Sequence, residues 1–530
     1  MNKLVQRANQ KVGLGNVALL LVSSTFLAQL LGFMRTKLVN ANFSAIGPNS
    51  TDSYFAAFNI PDLFFYTLAA GALGVAFIPV LVDKLNKGEK KKAIELSVSL
   101  LNLLAVVMAV VGLAIFFFAK PLIHNVVAPG LDPQQLKNSV TIMRLLAFNP
   151  LLFTISGILT ALQQSMGRFF FYAIAPMFYN ACIIVSIFVF KNNIGLVGLG
   201  IGALAGAILQ LLIILFGLIG TKFSWNPKIL WRSRDFHTVL RNLPARSIDQ
   251  GIDQIEAIAD TRFARGLGVG NVSYYNNAFA LQTVPIMLIG SAISTAVFPR
   301  LTHRLAQNRP DLFRRDFLQI LRAMIWLAAP VVVISFFTRG YLARLIFSRN
   351  APQISLIFGY LSGAIFFRII YTIISRWFYA RKDTKTPLFI SLFVIALNIV
   401  LAYKLSRPNA YGVAGLALAQ STVAAVEVLI LTIIMLLRDH KFFDRFFWAG
   451  ILKIMSVTGF SVVATYIMIS ILPLGINDRG FVTLGAKLSL ITAVTFMVHV
   501  GTSSIFGLEE ARPVIDRIRR IVLRPIRIEY

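Results

Sequence analysis

The chain has 530 residues, of which 57% are hydrophobic and only 14% charged, and its mean hydropathy is +0.74. A soluble protein carries about 25% charged residues, so this composition excludes a soluble globular enzyme and indicates a multi-pass membrane protein. The formal charge of +29 lies in short basic segments between apolar runs, which indicates contact with anionic lipid and not with nucleic acid. A single cysteine, Cys182, excludes a disulfide framework.

Fourteen apolar segments follow one another along the chain, each near the length of about 20 residues that a helix needs to cross a bilayer. Pro61, Gly71 and Pro79 interrupt the second, which membrane helices tolerate where neighbours satisfy the freed backbone groups. We therefore predict an all-α membrane protein with 14 transmembrane helices. Spans 1 to 14 are 17–34, 53–82, 96–119, 138–162, 169–190, 194–220, 243–266, 272–299, 323–347, 353–375, 387–405, 411–437, 446–473 and 480–506.

Basic residues orient these spans. Most Lys and Arg residues fall in the tails and in the connections that lie on the same side as the N-terminus. Because cytoplasmic loops carry the excess of Lys and Arg, we predict that both termini are cytoplasmic. The basic tail 507–530 is expected either to lie on the anionic inner leaflet as an interfacial segment or to be an ordinary positive-inside flank of the last span.

Similar segments recur roughly 220 residues apart. AGALGVAFIPVLVDKL (70–85) pairs with GSAISTAVFPRLTHRL (290–305), Asn180 pairs with Asn398, and GLVGLGIGALAG from Gly195 pairs with GVAGLALAQSTV from Gly412. Three pairs in one order predict two six-helix lobes related by a parallel repeat, which is a transporter architecture. The predicted division is N-tail 1–16, N-lobe 17–222, C-lobe 223–440, last two helices 441–506 and tail 507–530.

Span 7 carries the densest polar pattern of the apolar region. Its acidic residues follow at spacings of four, three and four, which predicts one helical face, and they are Asp249, Asp253, Glu256 and Asp260. Such a face either binds Na⁺ or H⁺ or forms salt bridges with the basic residues of the same span, Arg246, Arg262 and Arg265. Arg368, inside span 10, either is a gating residue, since an ionisable group within a span is functional or paired, or extends its charge to the membrane interface. The sequence contains no P-loop motif and indicates no cofactor.

Several motifs carry a resemblance to a known family. They are GFMR (32–35), TDSYFAAFNIPDLF (51–64), AGALGVAFIP (70–79), GILTALQQSMGRF (157–169), APMFYN (175–180), GNVSYYNNAFAL (270–281) and SRWFYARKDTKTP (375–387). Through them the chain resembles the MurJ (MviN) lipid II flippases of the multidrug/oligosaccharidyl-lipid/polysaccharide exporter superfamily. The last motif is the most specific, because RxFYAxxDTxTP is close to a signature of that family.

The resemblance implies a transporter and not an enzyme. It implies that an undecaprenyl-diphosphate-linked peptidoglycan precursor moves from the inner to the outer leaflet by alternating access through a cationic cavity. Arg35 is then a phosphate contact and not an interface anchor, because its guanidinium donates two hydrogen bonds to phosphate oxygens. The substrate-binding candidates are Arg35, Gln29, Asp52, Asn180, Asn276, Asn277 and Gln282. Asn398 matches a coupling-site asparagine of the family, beside the coupling candidates of span 7.

The chain departs from the family pattern at several charged positions. Thr36 replaces the family's aspartate, and its other cavity arginines fall on Gln29, Phe65, Tyr66 and Ala280. Three readings follow: a lipid II flippase; a polysaccharide-lipid flippase or drug/cation antiporter of the same superfamily; or a non-transporting membrane scaffold. For the first we expect a monomer in the bacterial cytoplasmic membrane, with a lipid-linked diphosphate, anionic lipids and the cell-wall synthesis machinery as partners and with Na⁺ or H⁺ coupling.

Overall fold

The computed structural model describes residues 14–67, 77–347, 349–476, 478 and 480–516, and their side chains except at 14–19, 22 and 242–250. Over these residues the secondary structure is helical, without a strand. The chain divides into two compact units, Met1–Ser273 and Tyr274–Tyr530.

The first unit contains nine α-helices in the described residues. In chain order they are α1 (Leu14–Asn42), α2 (Thr51–Phe65), α3 (Ile78–Asn86), α4 (Lys90–Pro121), α5 (Pro133–Leu146), α6 (Asn149–Ser165), α7 (Phe170–Phe190), α8 (Val197–Phe216) and α9 (Arg234–Gly266). A π-helical turn, Leu122–Val127, extends α4. The predicted span 4 divides into α5 and α6, because Pro150 occupies the first turn of α6, where its missing N–H is tolerated.

The second unit contains nine further α-helices in the described part of the chain, of which the first begins just before the division. They are α10 (Asn271–Pro285), α11 (Ala292–Ala306), α12 (Pro310–Phe337), α13 (Arg339–Ile346), α14 (Ala351–Ala380), α15 (Lys385–Leu405), α16 (Val413–Arg438), α17 (Arg445–Ile471) and α18 (Phe481–Ile505). A π-helical turn, Ile286–Ser291, joins α10 to α11. Helix α14 packs against α12, α13 and α16 and so forms the centre of the unit.

The prediction of an all-helical membrane protein is confirmed. Over the described residues, eleven helices or continuous helical runs are long and apolar enough to cross a membrane, and they coincide with spans 3–6 and 8–14. Spans 1, 2 and 7 fall on α1, α2–α3 and α9, which are not among the eleven. Part of span 2 lies outside the described residues, and α9 is rich in charged side chains.

Small residues allow the helices of the first unit to approach closely. Gly198, Gly202 and Gly206 are spaced four apart on α8 and face α7. A methyl group on Gly202 would lie 2.2 Å from the Ser186 hydroxyl oxygen, and one on Gly206 would lie 2.9 Å from the Tyr179 carbonyl oxygen. This is the small-residue packing by which membrane helices associate without a hydrophobic driving force.

Polar side chains connect α17 and α18 within the second unit. Ser461 contacts the His499 ring at 2.9 Å, and the Thr465 and Thr495 hydroxyls lie 2.9 Å apart. The Trp326 indole of α12 donates to the Ser503 hydroxyl at 2.8 Å. All six side chains are buried, so these bonds fix the last helical pair to α12.

Candidate functional site

Arg35 faces other helices of the first unit. Its half-buried side chain lies within electrostatic reach of the Asp62 carboxyl and the Tyr54 hydroxyl of α2 and of the Tyr179 hydroxyl of α7. Over the described residues, the structure records no hydrogen bond or ion pair within 4.0 Å for its guanidinium. A guanidinium held among phenol groups in this way has donors available for an anionic ligand.

Asp62 belongs to this site, although the sequence reasoning did not select it. It follows Pro61 on α2 and is half-buried. The Asp62 carboxyl lies within electrostatic reach of the Arg35 guanidinium, so it can compensate the charge of Arg35 inside the first unit. In the sequence, Asp62 is recognisable as a carboxylate within the apolar span 2.

Asn180 ties α7 to α1. Its amide donates to the Ala28 carbonyl at 3.3 Å and to the Pro176 carbonyl at 3.4 Å. A methyl group on Gly32 would meet this amide at 3.7 Å. Asn180 therefore forms an interhelical hydrogen bond to α1, near the turn of that helix that contains Arg35. Gln29, one turn earlier on α1, is exposed.

Asp52 is fully buried and joins two of the family-like motifs. Its carboxylate accepts hydrogen bonds from the Gly270 amide at 2.7 Å and from the Ser273 amide and hydroxyl at 2.8 and 2.6 Å. Arg265 lies 3.9 Å from the same carboxylate, and the Thr51 and Ser273 hydroxyls lie 2.7 Å apart. Asp52 thus satisfies backbone N–H groups at the start of α10, which a helix cannot satisfy itself.

The acidic residues of α9 differ in their surroundings. Asp253 is exposed, Glu256 and Asp260 are buried, and the side chain of Asp249 lies outside the described residues. Arg262 donates to the Asn125 and Val126 carbonyls, and Arg265 donates to the Gly130 carbonyl at 2.6 Å. These arginines satisfy carbonyl groups at and beyond the end of the π-helical turn that follows α4, so α9 is anchored there.

The polar candidates of the second unit lie on α10 and α15. Asn276 is half-buried, whereas Asn277, Gln282 and Asn398 are buried. Tyr275, beside Asn276, donates to the Gln420 side chain of α16 at 3.2 Å. The structure therefore places amide groups inside this unit, as membrane helices require for polar side chains.

Arg368 forms a buried polar cluster with a residue that the sequence reasoning missed. Its guanidinium lies 3.1 Å from the Glu427 carboxylate of α16. Ser391 of α15 donates to the same carboxylate at 3.0 Å, and the Tyr371 hydroxyl lies 3.4 Å from Ser391. A lone glutamate in the apolar sequence of span 12 was the available signal.

The turn between α14 and α15 contains the DTKTP part of the most specific motif. Asp383 accepts hydrogen bonds from the Thr386 amide at 3.0 Å, the Thr386 hydroxyl at 2.6 Å and Arg438 at 2.6 Å. Burial alone would raise the pKa of the Asp383 carboxyl, but these hydrogen bonds lower that pKa to about 2. The motif therefore caps α15 and ties its start to the end of α16.

Comparison with known proteins places this geometry in a family. The family described as lipid II flippase MurJ matches residues 44–482. The chain belongs to the lipid II flippase MurJ family. A probable lipid II flippase MurJ of Borreliella burgdorferi is 24% identical over 430 residues, covering 80% of this chain and 83% of that protein. The lipid II flippase MurJ of Burkholderia cenocepacia is 27% identical over 439 residues, covering 78% and 82%.

Solved structures show the same fold. A lipid II flippase MurJ in an inward closed conformation has a TM-score of 0.76 and 22% identity, covering 94% of this chain and all of that one. An inward-facing multidrug resistance MATE family transporter has a TM-score of 0.66 and 14% identity, covering 80% and 98%. The MurJ resemblance read from the motifs is therefore confirmed, and the chain belongs to a family of transporters and not of enzymes.

Proposed function

We propose that the chain moves lipid II, an undecaprenyl-diphosphate-linked peptidoglycan precursor, from the inner to the outer leaflet of the bacterial cytoplasmic membrane. The observation that carries this proposal is the family match over residues 44–482, together with an Arg35 that faces α2 and α7. A diphosphate headgroup cannot cross hydrocarbon unaided, since desolvating its charges costs far more than thermal energy. A polar path through the protein removes that cost while the lipid tail stays in the bilayer.

The architecture behind this proposal is 14 spans with both termini cytoplasmic, arranged as the two repeat-related lobes 17–222 and 223–440. Equivalent glycine contacts support the repeat. A methyl group on Gly198 would lie 2.2 Å from Phe190, the last residue of α7. A methyl group on Gly415 would lie 2.1 Å from the carbonyl oxygen of Leu405, the last residue of α15. The two glycines are 217 residues apart, as are the sequence segments that contain them.

Each candidate residue has a role in this proposal. Arg35 contacts phosphate, and the amides of α10 (Asn276, Asn277 and Gln282) contact the headgroup. Asp52 positions the start of α10 through its three hydrogen bonds. The α9 carboxylates and Asn398 are the candidates for coupling to Na⁺ or H⁺. The remaining partners are anionic lipids, bound by the basic cytoplasmic segments, and the cell-wall synthesis machinery; the working unit is a monomer.

Complementation tests the proposal. In a bacterium depleted of its own MurJ, we expect this chain to restore growth and to prevent accumulation of lipid II on the inner leaflet. Arg35→Ala should abolish rescue because no other described cation shares its position, and Arg35→Lys should restore it partly because the charge remains.

Lys37→Ala is the matched control for Arg35. Lys37 is a basic residue two positions along the same helix, and so it faces away from Arg35. We expect the Lys37 variant to rescue growth fully. Rescue by Arg35→Ala at wild-type level, or lipid II accumulation despite normal expression of the unmodified chain, would refute the proposed function.

A further inference from the structure

Glu427 is a carboxylate inside an apolar span, at the meeting point of three helices. Only 2% of its side chain is exposed, whereas 26% of the Arg368 side chain is exposed. The ion pair joins α16 to α14 at 3.1 Å, and the Ser391 hydrogen bond joins α16 to α15 at 3.0 Å. The cluster lies wholly within the second unit.

The two partners of this ion pair differ in whether they can change their charge when the pair separates. A guanidinium keeps its proton under all physiological conditions, whereas a carboxyl group can be neutral. Because Arg368 is partly exposed, it can turn away from the pair and keep its charge in a polar environment. Glu427 is buried, and an uncompensated carboxylate there is strongly unfavourable. Departure of Arg368 therefore requires Glu427 to take up a proton.

Tyr371, Tyr379 and Ser391 cannot replace Glu427 as the proton acceptor. On α14, the charged and titratable groups are Arg368 and the phenol of Tyr371, with Tyr379 acting on Tyr371. On α15, the contacting group is the Ser391 hydroxyl, which does not titrate. Phenols and hydroxyls are already neutral near neutral pH, so none of them can accept the proton.

We propose that Glu427 and Arg368 form a proton-linked anion site, in which an anionic diphosphate displaces Glu427 from Arg368 and Glu427 takes up one proton from water. For the identity of the anion this inference rests on the proposed function. The step forms one O–H bond on the Glu427 carboxylate, breaks the bond that held this proton in a hydronium ion or buffer acid of the solution, and replaces one ion pair by another. Binding of the anion and of the proton then strengthen each other equally.

The test measures proton uptake during binding. Undecaprenyl diphosphate is titrated into the full chain in detergent, in buffers of different ionisation enthalpy, and the dependence of the binding heat on the buffer gives the number of protons taken up. We expect close to one proton for each lipid bound, and an affinity that rises roughly tenfold for each unit of decrease in pH. Glu427→Gln keeps an acceptor for Ser391 but cannot titrate, and it should bind more tightly, without the Glu427-linked proton.

A second ion pair provides the control. Arg322, in the middle of α12, and Glu510, in the short turn after α18, pair at 2.6 Å with exposed side-chain fractions of 11% and 5%. Glu510→Gln should keep the proton uptake of the unmodified chain. If Glu427→Gln does not fold, Arg368→Lys serves instead, and we expect it to keep the uptake of one proton while its affinity falls roughly tenfold.

The outcomes separate this inference from the proposed function. Binding by the unmodified chain without proton uptake, or equal uptake by Glu427→Gln, would overturn the proton-linked site and leave the flippase proposal standing. Failure of the unmodified chain to bind undecaprenyl diphosphate would overturn both. Loss of uptake in Glu510→Gln would also overturn the inference, because the proton would then not be specific to Glu427.

Discussion

Two arginines within the membrane helices of this chain lie near carboxylates. Arg35 interacts electrostatically with Asp62 in the first unit, and Arg368 forms an ion pair with Glu427 in the second. Charges inside a bilayer are retained where a partner compensates them or where a ligand does. The two arginines therefore differ in their availability to a ligand. Arg368 already forms an ion pair, whereas Arg35 has no ion pair within 4.0 Å among the described residues.

The Asp383 carboxylate predicts a pH dependence of stability outside the membrane. Its pKa is lowered from the ordinary 3.8 to about 2 in the folded chain, so its contribution is complete above about pH 4 and is lost as the pH falls towards 2. With a side chain 20% exposed, this contribution is about 2 kcal/mol. We expect Asp383→Asn to lower the melting temperature of the detergent-solubilised chain at neutral pH.

The difference in melting temperature between the unmodified chain and Asp383→Asn should disappear as the pH approaches 2. Asp132→Asn is the control, because Asp132 is exposed and makes no side-chain cap hydrogen bond before α5. A melting-temperature difference for Asp383→Asn that stays constant from neutral to acidic pH would contradict the assignment.

Sequence reasoning identified residue types more reliably than it identified their partners. The guanidinium of Arg35 stood out as a charge at the edge of span 1, and the family motif gave it a role. Glu427 was equally visible as one carboxylate in an apolar run, but its partner lies 59 residues earlier in the chain. Contacts over such separations depend on how helices pack, which no local pattern encodes. The sequence predicts Asp52 as a ligand candidate, and only the fold reveals its bonds to the start of α10.

At the scale of helices, glycine positions determine how closely α15 and α16 pack. A methyl group on Gly415 would lie 2.1 Å from the Leu405 carbonyl oxygen and 2.8 Å from the Ser406 nitrogen. Both are backbone atoms and cannot rotate away, so the helices would have to separate. Gly459 on α17 has no atom within 4 Å of the corresponding position and provides a matched comparison.

We expect Gly415→Ala to destabilise the chain by roughly 1–3 kcal/mol, the usual range for overpacking a well-packed site. Gly459→Ala should leave stability unchanged or raise it slightly, because alanine has the higher helix propensity. Unfolding of the two variants in the same detergent measures the difference. Equal melting temperatures for both variants would show that α15 and α16 do not pack closely at Gly415.

Element boundaries were predicted where apolar length decided them and not where proline or charge intervened. Spans 3, 5 and 10–14 each correspond to one helix, extended by the π-helical turn in span 3. Span 4 divides before Pro150, because a proline in the first turn starts a new helix. In span 7 the spacing of acidic residues predicted one face, but burial differs along α9, with Asp253 exposed and Glu256 buried. Neighbouring helices decide that burial, and the spacing alone does not.

At the scale of the whole molecule, the excess of basic residues predicts how the chain is oriented in the membrane. The positive-inside rule assigns the loop that contains Lys87 to the cytoplasm and the loop that contains Asn193 to the opposite side. Both positions are exposed. They are separated by three predicted spans, so one experiment on the two positions tests the order of spans and their direction together.

We expect a membrane-impermeant thiol reagent to label Asn193→Cys and not Lys87→Cys in intact cells. The lone native thiol is first removed by Cys182→Ser, a small change at a half-buried position. Permeabilisation should make both introduced thiols reactive, which excludes concealment of Lys87→Cys by folding. Labelling of Lys87→Cys alone in intact cells would place the termini outside the cytoplasm. Labelling of both would require an even number of crossings between the two positions, in place of the three predicted.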